Sequence, residues 1–207
     1  MTTEQSASDQ RPADAPLMFP LMLDVSQMPV FAIGGASISV RLAALDEHGA
    51  KNVHIFAPSP APELVAAAGA RLQQRWPSEA DFNALRPRLV FIADMDDGEA
   101  AALRTYAVAA GALVHVQDRI PLCDFHLPAR VRRGHLQVTV ATDGTAAGLS
   151  RHIREYLETF IFGPEWAQHV DEVAAARRAW KQQGLSFAAL GKAVADLVTA
   201  RGWLKRP

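Results

Sequence analysis

The sequence has little cysteine, little net charge and no long apolar run. Its single cysteine, Cys123, excludes an internal disulfide framework and is typical of a reducing compartment. The formal net charge of −1 gives no electrostatic basis for binding nucleic acid or an anionic membrane surface. No apolar stretch approaches the roughly 18 residues that a transmembrane helix needs. These absences predict a cytoplasmic protein with no nucleic-acid partner and no membrane partner.

Residues 1–16 are polar and contain two prolines, Pro12 and Pro16, without the basic start and apolar centre of a signal peptide. They have almost nothing to bury, so we predict a disordered tail. The remaining chain is long enough to form a hydrophobic core, and the overall apolar fraction of 49% is ordinary for a globular protein.

The stretch 28–45, MPVFAIGGASISVRLAAL, gives the first positive signal. A short apolar run at 30–33 is broken by Gly34 and Gly35, and apolar residues then recur at helical spacing. Strand, glycine turn and helix form the first unit of a dinucleotide-binding fold, in which the turn faces a pyrophosphate. Ala36 stands where the strict fingerprint has its second glycine, so a βα turn without a ligand remains an open alternative.

Alternating apolar runs and helical patterns continue along the chain and predict an α/β fold with a Rossmann-like parallel sheet over residues 17–117. After Asp118 the alternation stops. Two strands joined at Gly134 predict a hairpin, within a small β-containing dimerisation and substrate segment at 118–150. A helical C-terminal domain is predicted at 151–207. The individual predictions are strands at 53–56, 71–75, 89–93, 112–116, 129–133 and 136–142, and helices at 63–68, 79–85, 99–110, 144–162, 165–182 and 186–201.

An ordinary NAD-binding half places an acid about 20 residues after the first glycines, to hold the ribose. The corresponding window, His54 to Ser59, contains none. Either no dinucleotide binds, or backbone groups and Ser59 hold the ribose.

Seven segments together resemble the precorrin-2 dehydrogenase/sirohydrochlorin ferrochelatase family of siroheme synthesis, over residues 18–157. They read FPLMLDV, the GG turn, Ala57-Pro58, FIADMDD, VHVQD, CDFHLPARVRRG and DGTAAGLSR. The resemblance implies NAD-dependent oxidation of precorrin-2 to sirohydrochlorin, insertion of Fe(II) as a substrate, and a homodimer. In that family the Ala-Pro loop without an acid is usual.

The resemblance also assigns residues. Asp118 matches the essential aspartate, and the expected cofactor-binding positions are Gly34, Gly35, Ala36, Ser37, Ile38, Pro58, Ser59 and Asp94. The expected substrate-binding positions are His115, His126, Arg130, Arg132, Arg133 and Thr142. Guanidinium groups suit a polycarboxylate tetrapyrrole, and the imidazoles of His115 and His126 can assist iron delivery, since imidazole is an acceptable Fe(II) ligand. The chain departs from the family at Ala36, at Asp94 and over residues 142–147.

Each candidate also has a purely structural interpretation. Asp118 can cap the loop that follows it, and the arginines can form a solvated strand surface. Asp94, Asp96 and Asp97 are expected to start a helix, and Cys123 to be a small buried residue. No His/Cys spacing predicts a preformed metal site. Two functions remain open: the dehydrogenase/chelatase, and a non-catalytic relative that binds a tetrapyrrole or nucleotide as a sensor or carrier.

Overall fold

The computed structural model describes residues 17–204, so the predicted tail at 1–16 lies outside the described residues. The chain divides into two compact units. Among the described residues, unit 1 contains residues 17–127 together with Asp143–Thr145, and unit 2 contains Pro128–Thr142 and residues 146–204. Within residues 17–204, no helix combines the length and the apolar character that crossing a membrane requires.

Unit 1 is built on a five-stranded parallel sheet with the strand order β3-β2-β1-β4-β5 in its described part. This confirms the predicted Rossmann-like fold class. The strands are β1 (Pro29–Ile33), β2 (Asn52–Phe56), β3 (Leu72–Gln73), β4 (Leu89–Ile92) and β5 (Leu113–Val116), and the helices are α1 (Ile38–Glu47), α2 (Pro62–Ala68), α3 (Glu79–Leu85) and α4 (Asp97–Ala109).

The central strands are apolar throughout because helices cover both faces of the sheet. Along β1, Val30 and Ala32 pack into one core layer with the buried face of α1, whereas Phe31 and Ile33 pack into the opposite layer with Phe82 and α4. This two-sided burial holds the carboxyl ends of β1, β4 and β5 side by side, at the edge where the glycine turn opens.

Unit 2 begins with the predicted antiparallel hairpin, β6 (Ala129–Arg133) and β7 (Leu136–Val140). It continues with α5 (Ala147–Tyr156), a π-helical turn at Leu157–Ile161, α6 (Trp166–Gln182) and α7 (Phe187–Arg201). The side chain of Ser186 caps α7 by accepting a hydrogen bond from the Ala189 N–H.

The structure differs from the predicted boundaries in three places, each with a local cause. Residues 118–127 group with unit 1 rather than with the hairpin, because the Asp124 N–H donates to the Val114 carbonyl of β5 (2.8 Å). The predicted helix at 144–162 begins only at Ala147, since Asp143 and Gly144 have φ of +47° and +80°. The predicted strand at 71–75 shrinks to β3 because a 3₁₀ turn at Gly69–Arg71 precedes it.

Candidate cofactor and catalytic site

The chain between β1 and α1 makes a tight glycine turn. Gly34 has a φ of +143°, and its N–H donates to the Phe56 carbonyl at the end of β2 (2.9 Å). A Cβ at this position would lie 2.0 Å from the Ala93 carbonyl oxygen after β4. Only glycine therefore permits this approach of the backbone, which is the role that the first glycine of a dinucleotide-binding turn fulfils.

The Asp94 carboxylate crosses from the end of β4 to the start of α1. Its Oδ2 accepts the Ser37 N–H (2.7 Å), and its Oδ1 accepts the Ser37 hydroxyl (2.8 Å). The expected helix start is confirmed for Asp96, which caps α4 by accepting the Glu99 N–H (2.8 Å), and for Asp97, which opens that helix. It is wrong for Asp94, whose φ of +55° turns the chain away before α4 begins.

The loop after β2 carries Pro58 and Ser59, both exposed. β2 lies beside β1, and the hydrogen bond from Gly34 to Phe56 fixes the end of β2 next to the glycine turn. The buried Ala57 precedes this loop and donates its N–H to the Gln73 carbonyl (3.0 Å). Two expected cofactor positions therefore lie at the same sheet edge as the turn.

Asp118 lies two residues after the end of β5 at that same edge, is exposed, and has a φ of +59°. The preceding Gln117 donates its N–H to the Ile92 carbonyl of β4 (2.9 Å). Its side-chain Nε2 lies 3.4 Å from Asp118 Oδ2 and 3.5 Å from Ser37 Oγ. Gln117 is a site residue that the sequence reasoning missed, and it joins the candidate catalytic carboxylate to the cofactor turn.

Arg41 on α1 is a second missed residue. Burial lowers the pKa of its guanidinium, and the nearby negative charge of Asp118 opposes that effect. Arg41 follows Ser37 by four positions, and this helical spacing is the signal that places both residues on one side of α1. The site thus combines a carboxylate and a partly buried cation.

His115 lies on β5 two residues before Gln117. Burial lowers its pKa to about 4, and the charge of Arg41 adds to this effect, so its imidazole is neutral near pH 7. The ring packs against the rings of Phe91 and Phe125, with centroids 6.1 and 5.7 Å away. His115 is therefore a partly buried, uncharged group beside Arg41.

His126 belongs to the same unit and contributes to the electrostatic environment of His115. A Cβ on Gly144 would lie 3.4 Å from its Cε1, which places residues Asp143–Thr145 beside the imidazole. Among residues 17–204, no group of three or more His, Cys, Asp or Glu side chains is arranged to hold a metal ion.

The CDF segment at 123–125, which begins one of the seven segments that carry the resemblance, stabilises the edge strand β5. Asp124 accepts the Val114 N–H (2.9 Å) and also accepts a hydrogen bond from Arg104 (2.9 Å). Cys123 Sγ accepts the Val116 N–H at 3.3 Å, and burial raises the pKa of its thiol. The segment thereby pairs with the backbone of β5 and fixes the strand that ends at Asp118.

Unit 2 holds the remaining predicted substrate residues, Arg130, Arg132, Arg133 and Thr142. Strand alternation places Arg130 and Arg132 on one face of β6 and Arg133 on the face of the buried Val131. Arg133 donates to the carbonyls of Arg132, Glu158 and Phe162 and to the Glu158 carboxylate. Its guanidinium holds the π-helical turn.

Thr142 is also engaged within unit 2. Its Oγ1 accepts the Ala146 N–H (3.2 Å) and shares a hydrogen bond with the hydroxyl of the buried Ser150 (3.1 Å). The residue therefore organises the start of α5.

The five-stranded parallel sheet, the glycine turn and the convergent strand ends define a dinucleotide-binding domain of the Rossmann type. Comparison with known families agrees. The family NAD_binding_7, described as "Putative NAD(P)-binding", matches residues 21–129, just over half of the chain. The chain belongs to this NAD(P)-binding family.

Among curated proteins, the chain is 32% identical to siroheme synthase 1 of Cronobacter sakazakii over 166 residues, covering 77% of this chain and 34% of that protein. It is 34% identical to the siroheme synthase of Ectopseudomonas mendocina over 143 residues, covering 69% and 30%. The chain thus spans about a third of the length of these relatives. Its fold resembles that of SirC, precorrin-2 dehydrogenase, with a TM-score of 0.67 and 19% identity over 91% of this chain and 93% of that one. These similarities confirm the resemblance noted in the sequence.

The glycine turn fits a dinucleotide, because Gly34 brings the backbone of β1 against that of β4 where α1 begins. The start of α1 does not fit a dinucleotide phosphate in the same way, because the Ser37 N–H at its N-terminus is already bonded to the Asp94 carboxylate.

Proposed function

We propose that this chain is a dehydrogenase of siroheme synthesis, which oxidises precorrin-2 to sirohydrochlorin with NAD. The observation that carries the proposal is the position of Asp118, at the end of β5 and joined through Gln117 to the cofactor turn. The relatives named siroheme synthase and the fold shared with SirC support the same reaction.

In the proposed reaction, Asp118 accepts the proton that is removed from precorrin-2. Oxidation of precorrin-2 removes one hydride and one proton, and NAD is the hydride acceptor when it is bound. The exposed Asp118 carboxylate takes the proton as general base. The positive charge of Arg41 faces this carboxylate, and His115 is neutral and therefore adds no positive charge near pH 7.

Fe(II) insertion is the second reaction that the resemblance implies, with iron as a substrate. Insertion displaces two pyrrole protons, which the same carboxylate accepts in turn. Arg130 and Arg132 are the proposed partners for the carboxylates of the macrocycle, because guanidinium groups bind carboxylates in a bidentate manner. The cytoplasm is the proposed location.

A homodimer completes the proposal. Leu149, Ile153, Tyr156 and Phe160 are all exposed, and their spacing of four, three and four residues forms an apolar stripe on α5 and the turn that follows it. A second copy is the proposed cover for this stripe and for the hairpin, which is marginal in water by itself. Light scattering at micromolar concentration should give the mass of two chains, and a single-chain mass would contradict the dimer.

A non-catalytic relative that binds a tetrapyrrole or nucleotide is the second candidate function. The Asp94 carboxylate at the helix N-terminus favours the tetrapyrrole-binding form of this candidate, because a nucleotide phosphate would use the backbone donor that Asp94 already occupies.

Anaerobic incubation with precorrin-2 and NAD, with and without Fe(II), distinguishes the two functions. Appearance of the sirohydrochlorin absorbance is expected with NAD and not in its absence. Added Fe(II) should then convert that spectrum to the spectrum of siroheme. Tetrapyrrole binding without any spectral conversion would overturn the dehydrogenase and support the carrier.

A further inference from the structure

The start of α1 is shaped around a carboxylate of the protein itself. Asp94 approaches Ser37 with both carboxylate oxygens, one on the N–H and one on the hydroxyl, at 2.7 and 2.8 Å. These two residues are 57 positions apart in the chain. A bidentate contact of this kind is stronger than a neutral hydrogen bond, because the acceptor is ionised.

The backbone on both sides accommodates this contact. Asp94 has a φ of +55°, a left-handed conformation that Asp tolerates better than most residues. On the other side, a Cβ on Gly35 would lie only 3.1 Å from Asp94 Oδ2. The second glycine of the turn thus provides the space that the carboxylate fills.

Helix N-termini bind phosphates through free backbone N–H groups and the positive end of the helix dipole. Here an anionic side chain already accepts the Ser37 N–H. A diphosphate placed at the same donor would have to displace this carboxylate, and the like charges would repel each other at contact distance.

We infer that Asp94 is a built-in competitor for the cofactor diphosphate and sets the affinity of the turn for NAD. The side chain closes the phosphate position in the absence of cofactor and must rotate away when the dinucleotide binds. This inference rests on the proposed NAD-dependent function, and it adds a determinant of cofactor affinity that the turn sequence alone does not reveal.

Calorimetric titration with NAD, in the absence of tetrapyrrole, tests the inference on the full chain. Asp94→Ala removes both the charge and the hydrogen bonds, and should bind NAD at least about tenfold more tightly than the parent, since a hydrogen bond to a charged group is lost only from the free protein. Asp94→Asn removes the charge alone and should also tighten binding, by a smaller factor. Glu99→Gln, an exposed carboxylate in the first turn of α4, is the matched control and should bind like the parent.

Adenosine provides a second readout, because it lacks phosphate. Its affinity should be the same in the parent and in Asp94→Ala, whereas ADP-ribose should follow NAD. Thermal melts establish whether each variant is folded. If Asp94→Ala is not folded, the NAD affinity of Asp94→Asn provides the test. Equal or weaker NAD binding in both variants, with normal binding in the parent, would overturn the inference and leave the proposed function standing. Absence of NAD binding in parent and variants alike would overturn both.

Discussion

Gln117 donates a hydrogen bond from its side-chain amide to the hydroxyl of Ser37, with 3.5 Å between Nε2 and Oγ. The contact joins the end of β5 to the start of α1, across 80 positions of sequence. Because Gln117 also lies 3.4 Å from the carboxylate of Asp118, the same amide contacts both parts of the proposed active site.

Asp118→Asn should lose at least about a hundredfold in precorrin-2 oxidation, because general bases typically contribute 10²–10⁴-fold in rate and an amide cannot take the proton. Asn is the informative substitution, since it tolerates the φ of +59° at this position nearly as well as Asp does. Steady-state rates measure the loss.

NAD affinity and thermal melting should remain near those of the parent in this variant. Asp171→Asn, which removes an exposed carboxylate on α6, should keep full activity and serves as the control. Activity within a few-fold of the parent in Asp118→Asn would exclude the general-base role of Asp118.

The pH dependence of the free energy of unfolding should show the effect of protonating His115. Its pKa is 6.5 as a free group and about 4 in the folded protein, so the unfolded chain binds more protons between these values. Stability is therefore complete above about pH 6.5 and decreases as the pH falls to about 4, by up to about 3 kcal/mol.

Urea unfolding at a series of pH values should show that His115→Gln flattens this decrease. The exposed His135, in the turn between β6 and β7, gives the matched control, and His135→Gln should retain the slope of the parent. An unchanged slope in His115→Gln would contradict the protonation argument.

Much of the fold follows from local sequence patterns. The run 30–33, the two glycines and the spacing of Ile38, Leu42 and Leu45 were sufficient to predict β1, the turn and α1, because burial on both faces of a parallel strand leaves a continuous apolar signal. The hairpin around Gly134 was also predictable, since two short runs that contain β-branched residues are joined at a glycine.

The site was less predictable, because its contacts join distant positions. Nothing local marks Asp94 as a partner of Ser37, and three aspartates within four residues resemble an ordinary helix start. Arg133 reads as a substrate ligand in the sequence, and only its bonds to Glu158 and Phe162 identify its structural task. Side-chain direction at long range depends on the folded backbone, which periodicity does not encode.

Asp124→Ala should destabilise the protein by about 1–3 kcal/mol, the cost of leaving a buried donor unsatisfied. The donor is the N–H of the fully buried Val114, and Arg104 loses its ion-pair partner in the same variant. Denaturant unfolding measures the effect. Asp196→Ala breaks an exposed ion pair with Lys192 and should cost no more than about 1 kcal/mol. Equal losses in the two variants would mean that Asp124 does not hold β5.

Substitution of Arg133 should lower thermal stability, whereas substitution of Arg132 should weaken tetrapyrrole binding. Arg133→Ala should lower the melting temperature, because it removes four hydrogen bonds, one to Arg132 in β6, two to Glu158 in the turn at Leu157–Ile161 and one to Phe162 directly after it. Arg132→Ala should instead weaken sirohydrochlorin binding and reduce its salt dependence, since exposed charge interactions are screened by salt. Fluorescence titrations at two ionic strengths and thermal melts of both variants test this division. If Arg132→Ala leaves affinity and salt dependence unchanged, this face of β6 does not bind the tetrapyrrole.

Ala36→Gly should tighten NAD binding by up to about tenfold, or ~1.4 kcal/mol. The exposed Ala36 lies between Gly35 and Ser37, where a dinucleotide-binding turn normally has glycine so that the phosphates can approach the backbone. Calorimetry on the single variant and on the double variant with Asp94→Ala measures whether the methyl group and the carboxylate obstruct the same ligand group. Because Ala36 belongs to the short turn that Asp94 contacts at Ser37, we expect their effects on affinity to be non-additive. If Ala36→Gly leaves NAD affinity unchanged in both backgrounds, the turn does not bind the pyrophosphate.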